Sequence, residues 1–411
     1  MPAPPVGSRP SKSGTTWGLC PQTPGNIWSP KMMRPGTEAE LADMVAAAAG
    51  PLRIRGGGTR DLGRPVTGAL LETGGLSGIV HYEPGAMTLV VRAGTPLAEV
   101  EEALAAEGQR LPFEPMDHRP LLGTEGAPTI GGVVAGNVSG PRRVAVGAAR
   151  DFLLGVRFVD GAGQIVANGG RVMKNVTGYD LVKLLAGSWG TLGVLTEVAL
   201  KVLARPASEA TLIARGLAPD AAVAALSAAL TSPFDITGAA HLDTGSTPET
   251  RVRIEGLPAS VAYRQDALRS GPLAGWDLAE GADSAALWEE VRDVRLLADQ
   301  PGAVWHLSVK PSDGPVVTAA LRAQGLGGPA LYDWGGGRIW LLVPETGDAG
   351  ATAIRAEVTA RGGHATLVRA SEATRAAVAP FPPQMNGVAA LETALRRKFD
   401  PRGILNPGLM T

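Results

Sequence analysis

Three consecutive glycines, Gly56-Gly57-Gly58, stand directly after a strand-like run, Leu52 to Arg55, and neither a regular helix nor a regular strand passes easily through them. Without Cβ atoms the chain can turn tightly, take positive φ and admit another backbone, so successive N–H groups can crowd around an anion. Thr59 adds a hydroxyl donor, and Arg55 or Arg60 a positive charge. The run reads either as a plain turn or as an anion cradle. It is not a G-x-G-x-x-G dinucleotide fingerprint, and no Gly-Lys-Ser/Thr follows to make it a P-loop.

Two more small-residue segments follow. Thr129-Ile130-Gly131-Gly132-Val133-Val134-Ala135-Gly136-Asn137-Val138-Ser139-Gly140 is uncharged, and reads as a buried packing seam or as a surface lying flat against an extended cofactor. Arg142-Arg143 and Arg150-Asp151 close behind favour the ligand reading. The third segment, Gly170 to Leu181, continues into Gly187-Ser188-Trp189-Gly190-Thr191-Leu192-Gly193-Val194. It clusters Lys174, Asn175, Tyr179 and Asp180 where a mere linker needs no such polar set.

A chain of 411 residues predicts two domains. A net charge of −1 argues against a general nucleic-acid or anionic-membrane surface. The single cysteine, Cys20, excludes an internal disulfide framework, a cysteine-ligated zinc site and a self-contained iron–sulfur cluster, and fits a reducing, cytoplasmic setting. The Pro- and Ser-rich N-terminus lacks the apolar core of a signal peptide. The uncharged-looking stretch from Gly126 to Pro141 is too broken by Gly, Pro and Asn to be a spanning helix of about 20 apolar residues.

Residues 1–30 read as a tail or arm. Thr37-x-x-Glu40 is a capping box opening an alanine-rich helix. Strands are expected at Gly78–Tyr82 and Met87–Arg92, and a helix after Thr95-Pro96, with Thr95 as its cap. A hairpin is expected at Phe152–Val159 and Gln164–Asn168 around Asp160-Gly161-Ala162-Gly163, and a long strand at Val194–Leu203. Residues 31–207 thus form one domain. Over 208–385 strand-like runs (Thr211–Ala214, Arg251–Ile254, Val304–Val309, Ile339–Val343) alternate with amphipathic helices (Asp220–Leu230, Ala285–Val294, Gly350–Ala360). That texture predicts an α+β sheet with helices on one face. Residues 386–411 supply a last helix, Val388–Phe399, and a returning loop. No internal repeat is evident.

Taken in order, the three glycine segments resemble the FAD-binding domain of the vanillyl-alcohol-oxidase (PCMH-type) flavoprotein superfamily, over about residues 30–206. Lys174-Asn175-Val176-Thr177-Gly178-Tyr179-Asp180-Leu181 and Ser139-Gly140-Pro141-Arg142-Arg143 resemble the smaller FAD-binding subunits of bacterial glycolate oxidases (glycolate dehydrogenases). Phe399-Asp400-Pro401-Arg402-Gly403-Ile404-Leu405-Asn406-Pro407-Gly408 is similar to the terminal loop of FAD-linked hydroxyacid oxidases. The resemblance implies an α+β fold: a PCMH-type domain of two α+β subdomains, and an α+β, ferredoxin-like cap. It implies that Arg55, Gly56, Gly57, Gly58 and Thr59 grip the pyrophosphate of FAD beside Pro112 to Pro115. Thr129, Gly131, Gly132, Asn137 and Gly140 would line the diphosphate and flavin. Gly190, Gly193 and Val194 would face the adenine half, and Lys174, Asn175, Tyr179 and Asn406 the isoalloxazine. The amides of 56–58 and 131–132 are expected to wrap the negative bridge between the two nucleotide halves.

Some relatives attach FAD through histidine or cysteine. Neither lies in or directly after the 55–60 loop, so noncovalent FAD is expected, and His118 reads as a solvated turn residue. Relatives that oxidise D-2-hydroxy acids carry Gly-Asp-Gly-Asn-x-His in the cap. None of the five histidines here (His81, His118, His241, His306, His364) sits in such a motif, and no metal site is expected. The weak substitutes for a catalytic base are Lys174, Tyr179 and His306, and His306 reads more simply as structural. The resemblance therefore implies an FAD-binding subunit of a glycolate-oxidising complex, its FAD relaying electrons or stabilising the assembly. A larger catalytic flavoprotein and an iron–sulfur subunit would be its partners, and the complex would be cytoplasmic or peripheral to the inner membrane face. A stand-alone 2-hydroxy-acid dehydrogenase and a structural subunit with a vestigial flavin site are the alternatives.

Overall fold

The structure is a computed structural model that describes residues 32–171 and 178–411; Cys20, Lys174 and Asn175 lie outside them. The chain enters through α1 (Glu38–Ala46), capped by the Thr37 hydroxyl accepting from Glu40 N at 3.2 Å. The expected reciprocal bond is displaced by one residue, because the Glu40 carboxylate accepts from Gly36 N. β1 (Leu52–Arg55) and β2 (Ala69–Glu72) pair in parallel. The bridges Met33 to Leu71 and Leu52 to Leu405 extend this small sheet on both edges, so the C-terminal loop is built into it. Leu41, Val45, Leu52, Leu71 and Leu405 fill its core.

A second subdomain follows: β3 (Ile79–Glu83), β4 (Thr88–Arg92), α2 (Leu97–Ala106), α3 (Ile130–Ala135), β5 (Leu153–Val159), β6 (Ile165–Gly169) and β7 (Val194–Lys201). Its five strands run antiparallel in the order β3-β4-β7-β5-β6. The hairpin at 160–163 forms as its sequence predicts, with the Asp160 carboxylate accepting from Ala162 N and Gln164 N. Thr95 is no helix cap. Its buried hydroxyl donates to Arg92 O at 2.7 Å and accepts from Gly78 N at 2.9 Å, fastening the turn instead.

Apart from a short antiparallel ladder pairing Gln109–Arg110 with Leu203–Ala204, the strands that remain form one eight-stranded antiparallel sheet. The first half runs β8 (Ser208–Arg215), α4 (Pro219–Leu230), β9 (Ile236–Asp243), β10 (Glu249–Gly256), α5 (Pro258–Arg269) and β11 (Asp277–Glu280). After α6 (Gly281–Arg292), the second half repeats the plan. It comprises β12 (Ala303–Ser308), α7 (Gly314–Ala323), β13 (Ala330–Asp333), β14 (Arg338–Val343), α8 (Ala351–Thr359) and β15 (His364–Arg369). The spatial order β11-β8-β10-β9-β13-β14-β12-β15 is two ferredoxin-like βαββαβ units joined edge to edge by β9 and β13. The cap is thus an internal repeat of topology that the sequence does not announce.

Leu212, Leu226, Val252 and Val261 pack the helical side of the first unit, and Trp305, Val317, Leu321 and Ile354 that of the second. The other face is covered as well. Trp288 and Val291 of α6, with Leu242, Val304 and Leu331 of the sheet, share one core with Phe113, Phe158 and Val198 of the preceding subdomain. Last comes α9 (Asn386–Phe399). Among the described residues no helix is long and apolar enough to cross a membrane.

Candidate functional site: an arginine-lined cleft with free amides

β1 delivers Gly56-Gly57-Gly58-Thr59 to the base of a cleft of about 440 Å³. Glycine is required for steric reasons. An ideal Cβ on Gly57 would sit 1.5 Å from Ala127 O, and one on Gly126 would sit 2.3 Å from Gly57 O, so the two loops interlock backbone to backbone. Gly58 takes φ +71°. The N–H groups of Gly56, Gly57, Gly58 and Thr59 find no partner among the described residues, although Thr59 is 3% exposed. Buried backbone donors are nearly always paired, so the Thr59 amide is unusual, and the half-buried Gly56, Gly57 and Gly58 amides beside it are open to a ligand.

The second segment works differently from expectation. The Ile130 amide donates to Thr95 O, Gly131 to Ala93 O and Gly132 to the Thr129 hydroxyl, so the 131–132 amides are spent inside the protein. Gly131 is there for closeness: its Cβ would lie 2.6 Å from Ala93 O. Thr129, Gly131 and Gly132 still line the cleft, as a wall without side chains.

The cleft's charge is positive. Arg53, Arg55, Arg60 and Arg64 line it against Asp61 and Glu125. Asp61 is held by Arg53 (3.7 Å) and Arg375 (3.0 Å), and the Arg55 guanidinium, folded back over Gly58, meets no carboxylate among the described residues. Arg60 is half-buried, and the desolvation of its guanidinium lowers its pKa to about 10 against the pull of Asp117. Its Nε donates to His118 Nδ1 at 3.2 Å. His118 is therefore no solvated turn residue. It is 6% exposed, and burial together with Arg60 and Arg338 holds it neutral.

Trp189, Gly190, Gly193, Val194 and Asn406 close the third side. The Asn406 side chain accepts from Ile54 N at 2.8 Å and donates to Trp189 O at 2.9 Å, stitching the C-terminal loop to both walls. Amides without a partner among the described residues, with the Arg55 guanidinium beside them, are donors of the kind a diphosphate-bridged dinucleotide requires. Arg55, Gly56–Thr59, Thr129, Gly131, Gly132, Gly190, Gly193, Val194 and Asn406 are brought together here.

Other expected residues lie elsewhere. Pro115 is buried away from the cleft lining. Asn137, at φ +46°, accepts from Arg150 N, and Gly140 packs against Glu114 O. Tyr179 is 90% exposed. His306 lies in the cap beside Trp340 and Trp334, its Nε2 buried and unpartnered. Burial, with Arg338, His364 and Arg143 nearby, keeps the His306 ring neutral. Residues the sequence reading passed over include Thr124, Glu125, Gly126, Trp189 and Leu409. Trp189 carried a signal, as a bulky residue between small ones in the third segment.

The cap grips the 139–142 segment. Trp334 Nε1 donates to Gly140 O at 3.1 Å and Arg338 to Ser139 O at 2.9 Å. Arg253 forks Glu114, and Glu255 of β10 pairs with Arg110 at 2.7 Å and with Arg142. Burial opposes the Glu255 charge, but Arg253, Arg110 and Arg142 outweigh it and hold the pKa at about 2.

Residues 30–169 match the FAD binding domain family model. The chain is 36% identical over 362 residues to the glycolate oxidase subunit GlcE of Escherichia coli, covering 88% of this chain and 92% of that one. The chain belongs to the GlcE family. Glycolate oxidase subunit GlcD of Bacillus subtilis is 32% identical over 167 residues, 40% of this chain and 34% of that one. Among solved structures, an alkyldihydroxyacetonephosphate synthase superposes with a TM-score of 0.65 over 92% of this chain and 76% of its own, at 17% identity; that likeness concerns the fold. The chain is thus an FAD-dependent oxidoreductase of α+β fold, with FAD as its cofactor.

Proposed function

We propose that this chain is the FAD-binding subunit of a glycolate-oxidising complex, and that the cleft at Gly56–Thr59 is its cofactor site. The observation that carries this reading is the row of unpaired amides at 56–59 beside an arginine without a carboxylate, in a member of the GlcE family. Bound FAD would supply the two-electron acceptor for oxidation of a 2-hydroxy acid. The chain's own residues do the holding. The 56–59 amides and Arg55 take the diphosphate, and Arg60 adds positive potential from behind Gly132. Trp189 and Asn406 shape the far wall. No histidine or cysteine lines the cleft among the described residues, which supports noncovalent retention.

Oxidising glycolate to glyoxylate also requires a base for the hydroxyl proton. His306 is held neutral, but its Nε2 is shut in against Trp334 and Trp340. This supports assigning substrate chemistry to a larger flavoprotein partner, with an iron–sulfur subunit carrying the electrons onward. The test is anaerobic mixing of the purified chain with glycolate while recording flavin absorbance, alone and then with the partner subunits. Acid-extractable FAD near one per chain, unbleached alone and bleached in the complex, is the expected result. Bleaching of the isolated chain favours a stand-alone dehydrogenase. A colourless protein that takes up no FAD removes the cofactor site.

A further inference from the structure

The helix α9 is out of place in a packed protein. None of its 14 residues is buried, yet its sequence is amphipathic. Met385, which caps it, and Val388, Leu391 and Leu395 along it recur at three- and four-residue spacing and so form one stripe. Met385 is 78%, Leu391 66% and Val388 38% exposed. The helix is moored at its C-terminal end, where Gly161 N donates to Phe399 O at 2.7 Å and the Phe399 ring meets Phe158. A helix this short is marginal in water unless its apolar face is covered.

Charge says what kind of surface covers it. The last turn carries Arg396, Arg397 and Lys398, against one acidic residue in the helix, Glu392. The N-terminal segment 1–31 carries Arg9, Lys12 and Lys31 and no Asp or Glu, so it is a poor electrostatic match for that end. Position adds the consequence. Just before the helix, Phe381 stacks edge-on against Trp189 of the cleft at 5.7 Å; just after it, Asn406 enters the cleft wall. The stretches of chain on both sides of α9 thus reach the cleft lining.

We propose that α9 is a docking helix for the larger flavoprotein subunit of the complex. It would lie in an apolar groove on that subunit with acidic residues along the rim, in the helix-in-groove manner. This rests on the complex reading above.

The test co-expresses the full chain with the larger flavoprotein and iron–sulfur subunits. It compares wild type, the double variant Val388→Glu/Leu391→Glu, and the triple variant Arg396→Glu/Arg397→Glu/Lys398→Glu. Both variants keep the FAD content and melting temperature of the isolated chain. The double variant binds the partner about 10-fold or more weakly, because removing central apolar anchors typically costs at least that. The triple variant weakens assembly most at low salt, where unscreened charge counts most. Unchanged assembly of the double variant overturns the proposal. So does an isolated chain whose 385–395 amides are protected from hydrogen exchange until residues 1–31 are deleted, or a homodimer abolished by Leu391→Glu. A wild-type chain that carries FAD but joins no partner refutes the complex reading itself, whereas a chain without FAD refutes the cofactor site.

Discussion

Replacing Gly57 by alanine tests the cofactor site most directly. The new methyl would lie 1.5 Å from Ala127 O and 2.6 Å from Ala127 C, and both are backbone atoms that cannot rotate away. Restoring ordinary contact needs a separation of 3.4 Å or more, so the 56–59 and 126–129 loops must part by roughly 2 Å. A shift of that size takes at least two of the four free amides out of bonding range of a diphosphate. Hydrogen bonds to a charged group contribute about 1.5–3 kcal/mol each. Losing two weakens FAD binding by about 3–6 kcal/mol, or roughly 10²- to 10⁴-fold in Kd. The assay is flavin content after purification, followed by titration of stripped protein with FAD by fluorescence quenching. Gly50→Ala is the control: nothing lies within 4 Å of its Cβ position, and FAD affinity should stay as in wild type. Binding of FAD by Gly57→Ala within about threefold of wild type would refute the reasoning, since 3-fold corresponds to well under one bond.

Arg55→Met should weaken FAD about 10- to 100-fold, with little effect on the melting temperature of the FAD-free protein, because Arg55 has no carboxylate partner to lose. Glu255→Gln should destabilise the chain by about 3–5 kcal/mol, since it leaves Arg110, Arg142 and Arg253 facing each other in the seam; thermal unfolding at pH 7 measures it. The folded pKa of Glu255 is depressed to about 2 from an ordinary 4.5. Its contribution is therefore complete above pH 4.5 and fades as pH falls towards 2, a loss that Glu255→Gln should not show in acid unfolding. Trp334→Phe keeps an aromatic face but drops the indole N–H bond to Gly140 O and part of the ring under Arg143 and Arg338, and should cost at least about 1 kcal/mol in urea unfolding.

Local chemistry was readable residue by residue. Glycines at 56–58 admit few backbones, and a strand feeding them fixes where the loop points, so the tight glycine loop was visible from the sequence. The Asp160-Gly161-Ala162-Gly163 hairpin and the strand-like runs within β8, β12 and β14 were legible as well. β9 was missed. Its run Ile236-Thr237-Gly238-Ala239-Ala240-His241-Leu242-Asp243 is buried on both faces, so it shows no two-residue alternation and carries small residues instead.

What folding alone decided is pairing across long distances. Whether the 130–131 amides are free depends on where Thr95 and Ala93 arrive, and those residues sit on another strand end. His118 reads as a turn residue until Arg60 is folded over it. The doubled ferredoxin-like cap rests on the order in which strands hydrogen-bond, and backbone pairing leaves little trace in side-chain identity. The sequence thus determined the loops able to hold an anion, because glycine sterics act between near neighbours. The tertiary structure decided which of those loops keep their donors free, because a backbone amide bonds to whatever carbonyl the fold brings to it.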